Sequence, residues 1–212
     1  MAERSLTQRI WYRFMRMLCR LTAVVMFRLR IEGGQHEPCE GGVLVVSNHQ
    51  SHLDPVLVGV ACRRQLNFLA RETLFDFAPL GWLIRSLGGV PINREGSGLS
   101  GLKETLKRLK RQEMVLVFPE GTRTADGQLR PLKPGFCTLA RRGKVAVLPV
   151  AVIGAYQAWP RRRRFPRPGR VRLRFGPVIT DTEVQALTDD ELAGEVERRI
   201  SDLLGSAQVS QG

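Results

Sequence analysis

His49 and Asp54 are the residue types most able to do chemistry in this chain, five positions apart in Ser47-Asn48-His49-Gln50-Ser51-His52-Leu53-Asp54. An imidazole near its working pKa can serve as a general base, and a carboxylate on one ring nitrogen leaves the other basic. Pro55 decides whether the two can meet. A residue before proline is pushed away from helical dihedrals, which predicts Asp54 as the N-cap of a helix with Pro55 at its first position. His49 then lies in a turn that folds its ring back onto the carboxylate, which a continuous helix would not allow. Two other readings remain at this point. An N-cap aspartate beside a turn histidine occurs without catalysis, and His49, His52 and Asp54 are also spaced as metal ligands. The third histidine, His36, has no ligand-like neighbour.

The elements that must position these residues are legible from periodicity. Val43-Leu44-Val45-Val46 is an apolar run that reads as a buried strand delivering the turn, and Val56 to Cys62 continues as an apolar helix. Leu66 to Leu69, Gly88 to Asn93, Met114 to Phe118 and Val145 to Val152 are further strands. Phe27, Leu29 and Ile31 alternate with charged residues as a half-exposed strand, and Val171, Leu173 and Phe175 do the same near the end. Between strands, Leu102, Leu106 and Leu109 mark a basic amphipathic helix, Pro79 to Gly81 is expected to break Leu74 to Leu87 into two short helices, and a helix covers about 135–142. Thr188 and Glu191 form a capping box for a last helix carrying Leu192, Val196, Ile200 and Leu203. Strands alternating with helices predict a single α/β domain with a mainly parallel central sheet flanked by helices. In such sheets the site lies beyond the strand carboxyl ends, where His49, Asp54, Arg94, Glu120 and Arg123 all fall.

Charge and composition narrow the partners. Over 212 residues, 33 Lys and Arg against 20 Asp and Glu give +13, which calls for anionic partners: a membrane surface, phosphorylated substrates or nucleic acid. No nucleic-acid-binding motif accompanies the charge, so nucleic acid is the disfavoured partner. Four scattered cysteines without a C-x-x-C pair read as reduced intracellular thiols. Residues 1–26 form an amphipathic helical segment preceding the domain at 27–212. Its Trp11, Phe14, Leu18, Leu21 and Val25 lie on one face and arginines on another. That face either rests in the headgroup layer of an anionic membrane or packs on the domain. Its longest uncharged run falls short of the roughly 20 residues that span a bilayer, and it lacks a signal-peptide cleavage site. Arg161-Arg162-Arg163-Arg164 is the most basic run, either a solvated loop or a contact for the phosphates of lipid, cofactor or nucleic acid.

Arginine forks bind phosphate oxygens directionally, so Arg94 and Arg123 suit a phosphate monoester. Gly121 permits close backbone approach, and Thr122 adds a hydroxyl. Glu120 is awkward beside a phosphate and is expected to orient an arginine or shape the pocket.

The order His49-x4-Asp54, Gly88-x-x-Pro91-Ile92-Asn93-Arg94, Phe118-Pro119-Glu120-Gly121-Thr122-Arg123 and Leu148-Pro149-Val150 resembles the four blocks of the glycerolipid acyltransferases. The closest likeness is to the lysophosphatidic acid acyltransferases, over roughly residues 27–180, with Lys133-Pro134-Gly135 also matching. The resemblance implies transfer of an acyl group from acyl-coenzyme A or an acyl carrier protein to the free hydroxyl of a lysophospholipid, with no metal and no further cofactor. It implies His49 as base and Asp54 as its orienting acid. The acceptor's phosphate goes to Arg94 and the Glu120-Gly121-Thr122-Arg123 turn, and the donor to the region of Pro149, with Asn48, Ser51, Arg71 and Lys133 as auxiliaries. Backbone amides of the His49 turn are expected to stabilise the oxyanion. Direct transfer is expected, Ser51 and Ser47 being the only serines near enough for an acyl-enzyme. Two departures bear on the acceptor: Pro91 stands where many members have an aromatic residue, and Arg71 where a lysine is common. The implied location is peripheral or monotopic on the cytoplasmic face of a membrane.

Overall fold

The computed structural model describes residues 6–76, 78–92 and 99–209. The most apolar runs become the centre of the sheet: β2 (Val43–Ser47), β5 (Met114–Val117) and β6 (Ala146–Ile153). Strands buried on both faces carry continuous apolar runs rather than alternation. With β1 (Arg30–Glu32), β3 (Leu66–Arg71), β4 (Gly89–Ile92) and β7 (Arg172–Phe175) they make a seven-stranded sheet in the order β1-β7-β6-β2-β5-β3-β4. Every pairing is parallel except β6 with β7, as the mainly parallel reading requires. Val43 lies opposite Met114 on one side and Ala146 on the other, so the three central strands run level. Their carboxyl ends therefore open onto one rim.

Side-chain alternation divides the core into two layers. Val43 and Val45 join Leu116, Leu148, Val150 and Val152 under α1 (Leu6–Phe27) and α2 (Asp54–Ala61). Leu44 and Val46 join Val115 and Val147 on the other face, under α4 (Leu99–Lys110), α5 (Gly135–Gly143), α7 (Asp181–Ala186) and α8 (Asp189–Val209). Each such side chain removed from water contributes about 1.5–3 kcal/mol. The Thr188/Glu191 box caps α8 as expected, and a second box at Thr180/Glu183, not anticipated, caps α7.

Two expectations need correction, and the choice left open for α1 is decided. The break in the Leu74–Leu87 segment falls before Pro79: a 3-10 turn (Glu72–Phe75) ends ahead of α3 (Ala78–Ser86). Proline is tolerated in a first helical turn, and Gly81 sits inside the helix because a Cβ there would press on the Phe75 backbone. The first strand starts at Arg30, since α1 runs through Phe27 and Arg28 turns with φ 44°. In α1 the face that packs carries Tyr12, Cys19, Ala23 and Phe27. Most of the apolar stripe picked out from spacing, including Phe14, Leu18, Leu21 and Val25, faces outward.

Gly154 (φ 83°) turns the chain from β6 into the short helix α6 (Ala155–Ala158). A Cβ at this position would overlap the Arg170 carbonyl, and the backbone is left-handed. Gly154→Ala is expected to cost about 1–3 kcal/mol, read as a lower urea midpoint at unchanged slope.

Candidate active site

β2 ends at Ser47, and Asn48 prolongs its pairing without backbone. The Asn48 amide donates to the Val152 carbonyl (2.9 Å) and accepts from the Val152 amide (2.7 Å). The side chain thus stands in for one more rung between β2 and β6, fixing where the chain leaves the sheet. His49 is then held through both of its backbone groups. Its N–H donates to Glu120 Oε1 (2.6 Å), and its carbonyl accepts from the Thr124 amide (2.9 Å).

Asp54 closes the turn. Its buried Oδ2 accepts from His49 Nδ1 (2.8 Å), the Gln50 amide (2.6 Å) and the Ser51 amide (2.7 Å). The meeting of His49 and Asp54 is therefore as the spacing before Pro55 implies. The cap is shifted by one residue: Leu53 is the N-cap, and Asp54 is the first residue of α2 with Pro55 next. The carboxylate turns back onto the preceding amides instead of capping its own helix, and an acid in a first turn is favoured by the helix dipole.

A carboxylate only accepts, so His49 carries its proton on Nδ1 and leaves Nε2 with a free lone pair. The ring stacks on Phe118 (centroids 4.0 Å apart, planes at 13°) with 15% of the side chain exposed. A flat apolar wall on one side limits the ring's rotation, so Nε2 has a defined direction. Ser51 is occupied elsewhere: its hydroxyl donates to the Trp159 carbonyl (2.7 Å) and accepts from the Leu53 amide (3.2 Å). The Ser47 hydroxyl donates to the Asn48 carbonyl (3.2 Å). Both hydroxyls thus donate to backbone carbonyls and not to His49.

The Glu120 to Arg123 turn crosses the same rim. Gly121 (φ 74°) makes the tight turn, its amide bonding the Phe118 carbonyl (3.0 Å). A Cβ on Gly121 would stand 3.1 Å from Lys133 Nζ, so that exposed ammonium lies along the turn. Thr122 and Arg123 are half-buried. His52, exposed with its ring 5.2 Å from Trp159, is held below the usual histidine range by desolvation first and then by the Arg123 charge.

The remaining positions fall elsewhere. Arg71 is the last residue of β3, its backbone opposite Ile92 of β4. Arg94 lies outside the described residues. Pro149 is buried inside β6 opposite Val46, on the same side of the sheet as Val147, and its carbonyl accepts from the Gly176 amide (2.9 Å). Among the described residues no three His, Cys, Asp or Glu side chains gather as a metal would need.

Glu120 departs most from expectation, since the partner it orients is a backbone amide. Phe118 and Thr124 were also missed as parts of the site. Phe118 opens the third sequence block, but its stacking on the His49 ring and the bond from Thr124 exist only once the loop is folded. Of the turn amides expected to meet the oxyanion, those of Gln50 and Ser51 are engaged by Asp54 and that of His49 by Glu120.

Burial pushes the Glu120 carboxyl up to about 7, outweighing its hydrogen bond from the His49 amide. A carboxyl raised from about 4.5 to about 7 on folding contributes stability below pH 4.5 that is lost as pH rises through 7. Glu120→Gln keeps an acceptor for His49 and removes the ionisation. The variant is expected to gain stability relative to wild type between about pH 4.5 and pH 7, measured by urea unfolding across that range.

Comparisons with known proteins give the family. The profile of the Acyltransferase family matches residues 28–153, which include the His49 turn, the Glu120 turn and all of β6. A 1-acyl-sn-glycerol-3-phosphate acyltransferase of Bacillus subtilis is 27% identical over 164 residues, covering 77% of this chain and 79% of the relative. The mouse 1-acyl-sn-glycerol-3-phosphate acyltransferase alpha is 33% identical over 170 residues, 78% of this chain, and the alignment spans 58% of its length. The crystal structure of the 1-acyl-sn-glycerophosphate acyltransferase of Thermotoga maritima superposes with a TM-score of 0.85 at 27% identity, over 98% of this chain and 84% of that one. With the family model matching more than half of the chain and the parallel sheet superposing on a solved relative, the chain belongs to the Acyltransferase family.

Proposed function

We propose that this chain transfers an acyl group from a thioester carrier to the free glycerol hydroxyl of 1-acylglycerol-3-phosphate, giving phosphatidic acid. The carrying observation is the His49 Nδ1 to Asp54 Oδ2 bond of 2.8 Å on a ring stacked against Phe118, which leaves Nε2 as a base of fixed direction. Nε2 takes the hydroxyl proton as the oxygen attacks the thioester carbon. The tetrahedral species collapses with cleavage of the carbon–sulfur bond, and the imidazolium returns its proton to the departing thiolate. Asp54 stabilises the imidazolium between the two transfers. The oxyanion is met by donors other than the amides of His49, Gln50 and Ser51, which are engaged. Arg94, Thr122, Arg123 and Lys133 supply donors for the acceptor's phosphate, and Gly121 lets that phosphate approach the backbone. Acyl-coenzyme A and acyl carrier protein are both anionic, and either suits the +13 charge.

The acceptor resides in a bilayer, and α1 supplies the means to reach it. Ile10, Phe14, Met17, Leu21 and Val25 are each more than half exposed along the helix, with Arg13 and Arg20 beside them. No helix among the described residues is long and apolar enough to cross a membrane. An amphipathic helix of this kind lies in the plane of an anionic headgroup layer. The chain therefore acts from the membrane surface, on the cytoplasmic side where acyl thioesters are held.

The test is release of free thiol from acyl-coenzyme A, or from acyl carrier protein, upon addition of detergent-dispersed 1-acylglycerol-3-phosphate. Wild type is expected to show acceptor-dependent release. His49→Ala is expected to lower kcat about 10²–10⁴-fold with KM for either substrate little changed. Equal turnover in the variant would contradict the mechanism, and absence of release from wild type with either donor would contradict the function.

A further inference from the structure

The arginine run following α6 is built into the fold at two places. At its base, Ser51 Oγ donates to the Trp159 carbonyl (2.7 Å) and the His52 ring lies 5.2 Å from the Trp159 ring, tying it to the turn that carries His49. At its far end, the Gly169 amide donates to the Met26 carbonyl (3.2 Å) and the Val171 amide to the Phe27 carbonyl (2.8 Å), tying it to the end of α1. Bonds from Trp159 Nε1 to the Arg163 carbonyl (2.9 Å) and from the Arg167 amide to the Ala158 carbonyl (2.9 Å) hold the segment as a defined arm.

The arm presents what solvent alone does not explain. Arg161, Arg162, Arg163 and Arg164 are all exposed, and among the described residues none pairs with a carboxylate. Adjacent guanidinium groups repel one another until an anion meets them. Next to them Phe165 is 67% exposed, with the Arg164 guanidinium 5.4 Å from its ring centroid. A dissolved anion uses the arginines and leaves the phenyl ring in water. A lipid headgroup layer uses both, phosphates against the guanidinium groups and the ring at the acyl boundary. The outward apolar residues Val24 and Val25 directly precede Met26, so the lipid-facing stripe of α1 leads into the arm.

We propose that the Arg161–Phe165 arm is a second membrane contact, binding the phosphates of anionic lipids. Together with α1 it seats the mouth of the His49 turn on the bilayer. This rests on the reading that the acceptor is a membrane lipid.

The test is sedimentation of the full chain with vesicles of phosphatidylglycerol and phosphatidylcholine, or of phosphatidylcholine alone. Wild type is compared with the combined Arg161→Gln, Arg162→Gln, Arg163→Gln, Arg164→Gln variant and with Phe165→Ser. The four-arginine variant is expected to bind anionic vesicles at least about tenfold more weakly and to lose most of the salt dependence of wild type. Phe165→Ser is expected to weaken binding a few-fold at every salt concentration. Turnover of a short-chain, monomeric lysophosphatidic acid should stay within about twofold of wild type in both variants. Anionic-vesicle binding equal to wild type in the four-arginine variant would overturn the proposal. So would unchanged vesicle binding with a raised KM for the acyl thioester, which would give the arm to the donor's phosphates. Wild type inactive on any acceptor, with the binding difference intact, would sink the acyl-transfer reading and leave the arm's assignment standing.

Discussion

One carboxylate oxygen, Asp54 Oδ2, gathers three N–H groups from three consecutive residues in a fully buried position. An unpaired buried carboxylate costs several kcal/mol, so this anion cannot give up its donors without great loss. Its partner oxygen, Oδ1, is buried with no hydrogen bond from the described residues, which leaves the compensation to Oδ2. The backbone from His49 to Ser51 therefore wraps around one point, and the imidazole is part of the wrapping. The base is oriented because releasing it would also expose an anion.

The rest of the fold serves that point at increasing range. Asn48 sets where β2 stops, through its paired bonds to Val152. Glu120 and Thr124 hold the backbone of His49 from the neighbouring strand's loop, and Phe118 faces its ring. The level register of β2, β5 and β6 brings the ends of separate chain segments to a common rim, and the two apolar layers keep that register. A one-residue slip of β2 would move Val43 and Val45 out of one layer and displace Asp54 from its donors.

The elements were legible where a single periodicity ruled. The central strands, the Thr188 cap and the helix at 135–143 follow from apolar runs and local hydrogen-bonding pairs, and the turn ahead of Pro55 does bring His49 onto Asp54, with the cap one residue earlier than the proline implied. What eluded the sequence is made by backbone atoms or by distant segments. Amide donors have no residue-type signature, so the engagement of Gln50 and Ser51 by Asp54 was invisible, and those amides were assigned to an oxyanion instead. Glu120 meets His49 across 71 residues, a contact fixed only by strand order. In α1, Tyr12, Cys19 and Ala23 form a face less apolar by composition than the stripe beside it, yet that is the face the core takes. The packed side is the one that meets α2, and it is not the more apolar one.

The central claim is that Asp54 fixes the protonation geometry of His49, and the direct measurement is the ¹⁵N chemical shifts of the His49 ring in the full chain at neutral pH. The account predicts that the neutral form of the imidazole carries its proton on Nδ1, with a bare Nε2 whose resonance moves when the acceptor binds. In Asp54→Ala the ring should lose that preference and populate both tautomers. A proton found on Nε2 in the wild-type neutral form, or a tautomer indifferent to the loss of Asp54, would contradict the account.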